Sequence, residues 1–90
     1  MRRTANTPDE LKQLVEENPY EFPSFFLADH SFALHCYSNH SYDQLKSKVK
    51  YGQPDPAECA EYELTEDQWR EQVEMARLAQ MYELESLPST

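Results

Sequence analysis

Apolar residues recur at helical spacing along the last third of the chain. In the run from Thr65 to Glu85, TEDQWREQVEMARLAQMYELE, about 100° per residue puts Trp69, Val73, Ala76, Ala79 and Leu84 on one side. Met75, Leu78 and Tyr82 form a second stripe beside the first, and Glu66, Asp67, Arg70, Glu74 and Arg77 fill the opposite arc. The pattern predicts one long helix. Thr65 is its N-cap, Gln68 closes a capping box, and Glu66 and Asp67 face the positive end of the helix dipole. Pro88 stops it, with fraying near Glu85 or Ser86. Glu66 and Arg70 have the i,i+4 order of a favourable surface pair. The apolar arc is wider than a helix on one flat core needs. Either the chain covers this helix on two sides, or Met75, Leu78 and Tyr82 are left for a partner or a second subunit.

Shorter helices are predicted upstream. Thr7-Pro8-Asp9-Glu10 is a helix start: Thr7 caps, Pro8 needs no N–H partner at the first position, and Glu10 completes the box. Leu11, Leu14 and Val15 make a narrow stripe, and Asn18-Pro19 ends the helix. Tyr20 to Pro23 reads as an extended link anchored by its aromatics. Ser41 with Gln44 opens another helix, with Tyr42, Leu45 and Val49 as its buried stripe and Gly52 placed for a left-handed end. Pro56 starts a short helix through Ala57, Cys59 and Ala60. Leu64 is positioned to staple against Trp69.

Ser24 to Ser38, SFFLADHSFALHCYS, supports two readings. As one helix, Phe25, Phe26, Phe32, Ala33, Cys36 and Tyr37 share a broad side. As a hairpin, Phe32, Leu34 and Cys36 alternate with Ala33, His35 and Tyr37 around Asp29-His30. That turn lacks Gly or Asn at the left-handed positions. The chain has no Ile and three Val, and strands favour β-branched residues. The helix is preferred. The expected fold is therefore all-α, with four or five helices around a long C-terminal one. The alternative is an α+β domain with a hairpin at about 25–37. Ninety residues make one domain. Loose ends are expected at 1–6 and 86–90.

Composition adds a charge asymmetry. The formal net charge is −9. Residues 1–54 carry seven acids and six bases, net −1, whereas 55–90 carry ten acids and two bases, net −8. Such a field repels nucleic-acid backbone and favours cationic partners. Six Tyr, four Phe and one Trp supply the apolar area of a folded core. Two cysteines fit a reduced, cytoplasmic protein better than a disulfide-built one. No apolar run has the length of a signal peptide or a membrane span.

No catalytic or cofactor signature is present, and no cofactor is expected. His35, Cys36 and His40 with distant Cys59 are candidate metal ligands, but a zinc site wants a second local pair. Cys36 with His40 or His35 is a candidate nucleophile and base, without Gly-rich backbone donors for an oxyanion. Lys46, Lys48 and Lys50 are a candidate phosphate site, or simply cations complementing a helix C-terminus. Glu58, Glu61, Glu63, Glu66, Asp67, Glu71 and Glu74 form the most distinctive feature. They are either a solvated face that keeps the chain soluble or a docking surface for a basic partner. The expectation is a non-enzymatic protein–protein interaction module. It would act as a phage- or plasmid-type inhibitor or regulator of a larger nucleic-acid-handling protein, by DNA mimicry. The contact set is Glu63, Glu66, Asp67, Trp69, Glu71, Glu74, Met75, Leu78 and Tyr82. It binds no nucleic acid or membrane directly, and a homodimer is the other occupant for the second stripe. The alternative is a metal-stabilised or ligand-binding module built on the His and Cys residues.

Overall fold

The structure is a computed structural model and describes residues 4–17 and 24–86. Among these residues there are five α-helices and one 3-10 helix, with no strand. They are α1 (Pro8–Glu17), the 3-10 helix (Ser24–Leu27), α2 (Ser31–Asn39), α3 (Tyr42–Tyr51), α4 (Pro56–Tyr62) and α5 (Glu66–Ser86). The hairpin alternative at 25–37 does not occur. Nor is Ser24 to Ser38 one helix: the chain turns at Ala28 to His30. In an unbroken helix Leu27 would point away from the side shared by Phe26 and Ala33. The turn lets Leu27 and Phe26 both be buried. The link at 18–23 lies outside the described residues.

Helix α5, about 30 Å long at 1.5 Å per residue, packs against α1, α2, α3 and the 3-10 helix. Its apolar positions serve two cores, divided as the stripes are except that Ala79 joins Met75 and Leu78. Met75, Leu78 and Ala79 join Leu11, Leu14, Val15, Phe26, Leu27 and Ala33 in the first core. Trp69, Val73 and Ala76 join Phe32, Cys36 and Leu45 in the second. The chain thus covers its long helix on two sides. Leu84, expected on the first stripe, is instead 53% exposed, beyond the last buried contact of α5.

Caps fix the helix starts. Thr65 and Gln68 exchange both bonds of a capping box, at 2.9 and 3.1 Å. Ser41 and Gln44 do the same at 2.8 and 3.2 Å. At α1 the Glu10 N–H donates to Thr7 Oγ1 (3.1 Å), but the Glu10 carboxylate accepts from Asn6 N–H (3.0 Å) rather than closing on Thr7. Helix α2 has no such start: His30 caps nothing with its side chain. Two glutamines of α5 take over. Ala33 N–H donates to Gln72 Oε1 (3.1 Å), and Gln80 Nε2 donates to Tyr37 O (2.9 Å) and to His40 O. Gln72 meets the start of α2 and Gln80 its end, so α2 and α5 run in the same direction.

Residues 4–6 are not a loose tail. Ala5 is fully buried and its N–H donates to Phe26 O (2.7 Å). Thr4 Oγ1 donates to Asp29 Oδ2 (2.9 Å), and Asn6 Oδ1 pairs with His30 Nε2 (3.2 Å). A small methyl group in the core and backbone pairing to the 3-10 helix hold this segment. No helix among the described residues is long and apolar enough to cross a membrane.

Candidate interaction surface

Helix α4 starts where Asp55 Oδ1 accepts from Ala57 N–H (2.9 Å) and Pro56 occupies the first turn. None of its residues is fully buried. Cys59, Tyr62 and Leu64 lean on the second core, which presents Glu61 and Glu63 to solvent. The start of α5 continues this surface with exposed Glu66, Asp67 and Glu71. Glu66, Asp55 and Glu58 lie around Cys59. Partial burial first, then the carboxylates of Glu66, Asp55 and Glu58, push the Cys59 thiol above its ordinary range. A thiolate there would meet three like charges.

The expected contact residues divide into three groups. Glu63, Glu66, Asp67 and Glu71 are exposed. Only Asp67 has a cation at ion-pair distance among the described residues, Arg70 at 3.1 Å. The expected Glu66–Arg70 pair is absent, because the Arg70 side chain bends toward Asp67 while its Nε donates to Gly52 O (3.0 Å). Glu74 is turned inward onto Arg77, at 3.1 and 2.5 Å. That hydrogen bond is the main reason the Arg77 guanidinium is held above its usual range. Trp69, Met75 and Leu78, expected to touch a partner, are at most 2% exposed and belong to the two cores. Tyr82 is half-buried against the first core. Trp69, Met75 and Leu78 are therefore internal, whereas Glu63, Glu66, Asp67 and Glu71 remain at the surface.

Trp69 links that surface to the core. Its indole N–H donates to Glu58 Oε1 (3.1 Å), which satisfies a buried donor. Lys48 Nζ lies 5.6 Å from the ring centroid, within cation–π range. Phe32 packs at 5.9 Å from the indole and at 5.2 Å from Tyr62.

The His and Cys candidates do not converge. Cys36 is buried, and its thiol is pushed up to about 12 by burial first and by Glu58 next, against Lys48. It holds its proton at neutral pH. His35 is exposed, contacts Asn39 through Nδ1 (3.1 Å) and meets the His40 ring edge-on at 6.1 Å. Among the described residues no three His, Cys, Asp or Glu side chains are placed to hold a metal ion. The sequence reading missed an open groove of about 550 Å3 lined by His40, Ser47, Lys48, Tyr51, Asp55 and Trp69, with Gln44 and Gln53. Tyr51 is 68% exposed on its wall. The signal was there: Tyr51 lies off the Leu45–Val49 stripe of α3.

Comparison of the chain with protein-family models, curated proteins and solved structures gave no match.

Proposed function

We propose that the chain is a small, non-enzymatic interaction module that docks a basic protein surface through α4 and the first two turns of α5. The observation that carries this reading is a set of exposed carboxylates along α4 and the start of α5 without internal cations. Glu61, Glu63, Glu66 and Glu71 have no Lys or Arg at ion-pair distance among the described residues. Folding leaves their charge uncompensated, and such a surface steers cationic partners and repels polyanions. A partner that normally grips nucleic acid carries the matching cations, so the module acts as its inhibitor or regulator by occupying that groove. Phages and plasmids encode proteins of this kind. Both cysteines are free, which is compatible with a cytoplasmic setting.

The docking is led by charge, because Trp69, Met75 and Leu78 are occupied internally. The test is the triple reversal Glu66→Lys, Asp67→Lys and Glu71→Lys, with Glu74 left in its pair with Arg77. Captured partner is quantified across salt for both proteins, and nucleic acid is added as competitor. Capture that is lost on reversal, weakens with salt and is displaced by nucleic acid supports the reading. Capture that ignores reversal and salt removes it.

A further inference from the structure

Among the described residues most cations line one flank. Six Lys and Arg fall among the described residues. Five of them, Lys46, Lys48, Lys50, Arg70 and Arg77, line cavities along α3 and the adjoining side of α5. Two open grooves, of about 550 and 480 Å3, run on either side of a ridge made by Ser47 and Tyr51, which line both. Tyr51 is the most exposed large apolar side chain of the described residues, at 68%. Lys46 lies 3.7 Å from Asp43, with both side chains largely in solvent, and over the Tyr42 ring at 5.1 Å. Lys48 and Lys50 have no carboxylate at ion-pair distance among the described residues and rest over the rings of Trp69 and Tyr51.

The first groove is also the border between the two signs of charge. Lys48, Tyr51 and Asp55 all line it. Past Asp55 the chain enters α4, with Glu61 and Glu63 exposed and with exposed Ala57 and Ala60 three residues apart on one face. The two flanks lie side by side, so one molecule cannot close one onto the other. Two molecules can. A two-fold axis through the groove lays each basic flank on the other's acidic flank, the self-complementary arrangement of an isologous dimer.

We propose that a second copy of this chain docks on the Tyr51 ridge. Tyr51 of each protomer lies against Ala57 and Ala60 of its partner's α4, with Lys46 and Lys50 facing the partner's Glu61 and Glu63. Charge complementarity selects the occupant, since both matching surfaces are present on the same chain and meet at one groove. The inference does not rest on the docking of a foreign partner; the two occupants share Glu61 and Glu63 of α4, so a second copy there would compete with such a partner. The lysines and α4 carboxylates tested below are not the residues reversed in that experiment.

The net charge of −9 sets the salt response. At low ionic strength the two copies repel as wholes. At about 0.15 M the Debye length of roughly 8 Å screens that repulsion while contact pairs persist. Near 1 M, with a Debye length of roughly 3 Å, the contact pairs are screened as well. Association should therefore peak at intermediate salt, whereas a purely apolar dimer would tighten steadily.

The experiment is sedimentation of the full chain at these three salt levels, up to about 1 mM protein, the range of a weak complex. The expected mass rises from 10.6 kDa toward twice that value, most at intermediate salt. Two charge-reversed proteins follow, Lys46→Glu with Lys50→Glu, and Glu61→Lys with Glu63→Lys, each checked for native circular dichroism. Each should be monomeric alone, and an equal mixture should dimerise, because reversal on both sides restores every pairing. Tyr51→Ser should also be monomeric. A mass of 10.6 kDa for the unaltered chain under all conditions overturns the proposal. So does a dimer that survives these substitutions, and so does a mixture that stays monomeric.

Discussion

The two cores that share α5 are built from different materials. The first, under α1 and the 3-10 helix, buries Leu, Val, Ala and Met side chains and one aromatic, Phe26, with Tyr37 and Tyr82 half-buried at its edge. The second, under α3 and α4, stacks Phe32, Trp69 and Tyr62, buries a thiol and touches charge at Glu58 and Lys48. In the first the polar contacts come from backbone N–H groups, Ala5 to Phe26 O and Ala33 to Gln72 Oε1, beside aliphatic burial. The second combines burial with oriented polar contacts, and every feature proposed to meet a partner lies over it. Helix α2 belongs to both: adjacent Phe32 and Ala33 enter different cores. Regions that differ in chemistry are thereby tied into one folding unit.

Core truncation tests that tie and has the largest expected effect. Trp69→Ala in the second core should cost about 3–5 kcal/mol, and Leu78→Ala in the first about 2–5 kcal/mol. Both are large against the total stability of a domain this small. The comparison turns on cooperativity. Trp69 is the only tryptophan, so its fluorescence reports the second core alone, while far-UV circular dichroism reports all helices. In urea unfolding of Leu78→Ala the two signals should shift together. Tryptophan fluorescence that holds while helicity falls would mean the cores unfold separately.

The bracket on α2 comes next. Gln80 serves two carbonyls at the end of α2, and Gln72 serves one N–H at its start. Gln80→Ala leaves partly buried carbonyls without that donor and should cost about 1–3 kcal/mol. Gln72→Ala should cost less, because one bond is lost rather than two. Equal or negligible losses in chemical denaturation would show that water replaces the glutamines.

Alkali should act through the second core. The Cys36 thiol is raised from an ordinary 9.0 to about 12 in the fold. Above pH 9 the unfolded chain loses this proton and the folded chain keeps it, so the unfolded state binds fewer protons. Stability is then unaffected below about pH 9 and falls by at most about 1.4 kcal/mol per pH unit toward 12. Tyr37, raised by burial and then by Glu83, pushes the same way at higher pH. Cys36→Ala should flatten the slope between pH 9 and 10. An unchanged slope would put the alkaline sensitivity elsewhere.

These tests also mark where the sequence was legible. Helix α5, its two stripes and its Thr65–Gln68 box follow from local rules: a period, a hydroxyl three residues from an amide, the lack of Gly and Pro. Ser41–Gln44 and Gly52 were legible for the same reason. The break at 28–30 was not, because it is decided by which core Phe26, Leu27 and Phe32 each enter, a tertiary choice. Nor was the glutamine bracket, which joins residues about 40 apart. Whether Met75 and Leu78 faced the chain or a partner was not legible, because periodicity shows that a face is apolar and not what covers it; they lie in the first core. The acidic surface was visible as composition, but the inward turn of Glu74 and the bond of Glu58 to Trp69 were not.

The smallest effect concerns two helix ends in the same half of the molecule. Helix α3 ends on Gly52 at φ 58°, and α4 ends on Glu63 at φ 55°. Both are left-handed, and only glycine adopts that conformation without a steric penalty. A Cβ on Gly52 would meet Val49 O at 3.8 Å and Arg70 Nε at 3.9 Å, so the space is open and the backbone term stands alone. Gly52→Ala should therefore destabilise by about 1 kcal/mol, and Glu63→Gly should gain a similar amount less the added chain entropy of glycine. For a domain of this size 1 kcal/mol moves the midpoint by roughly 4–8 °C. The pair of melting curves sharpens the contrast between the ends. Opposite shifts mean that the left-handed backbone sets the energy at both, whereas a loss of stability in Glu63→Gly means that the carboxylate itself holds the end of α4.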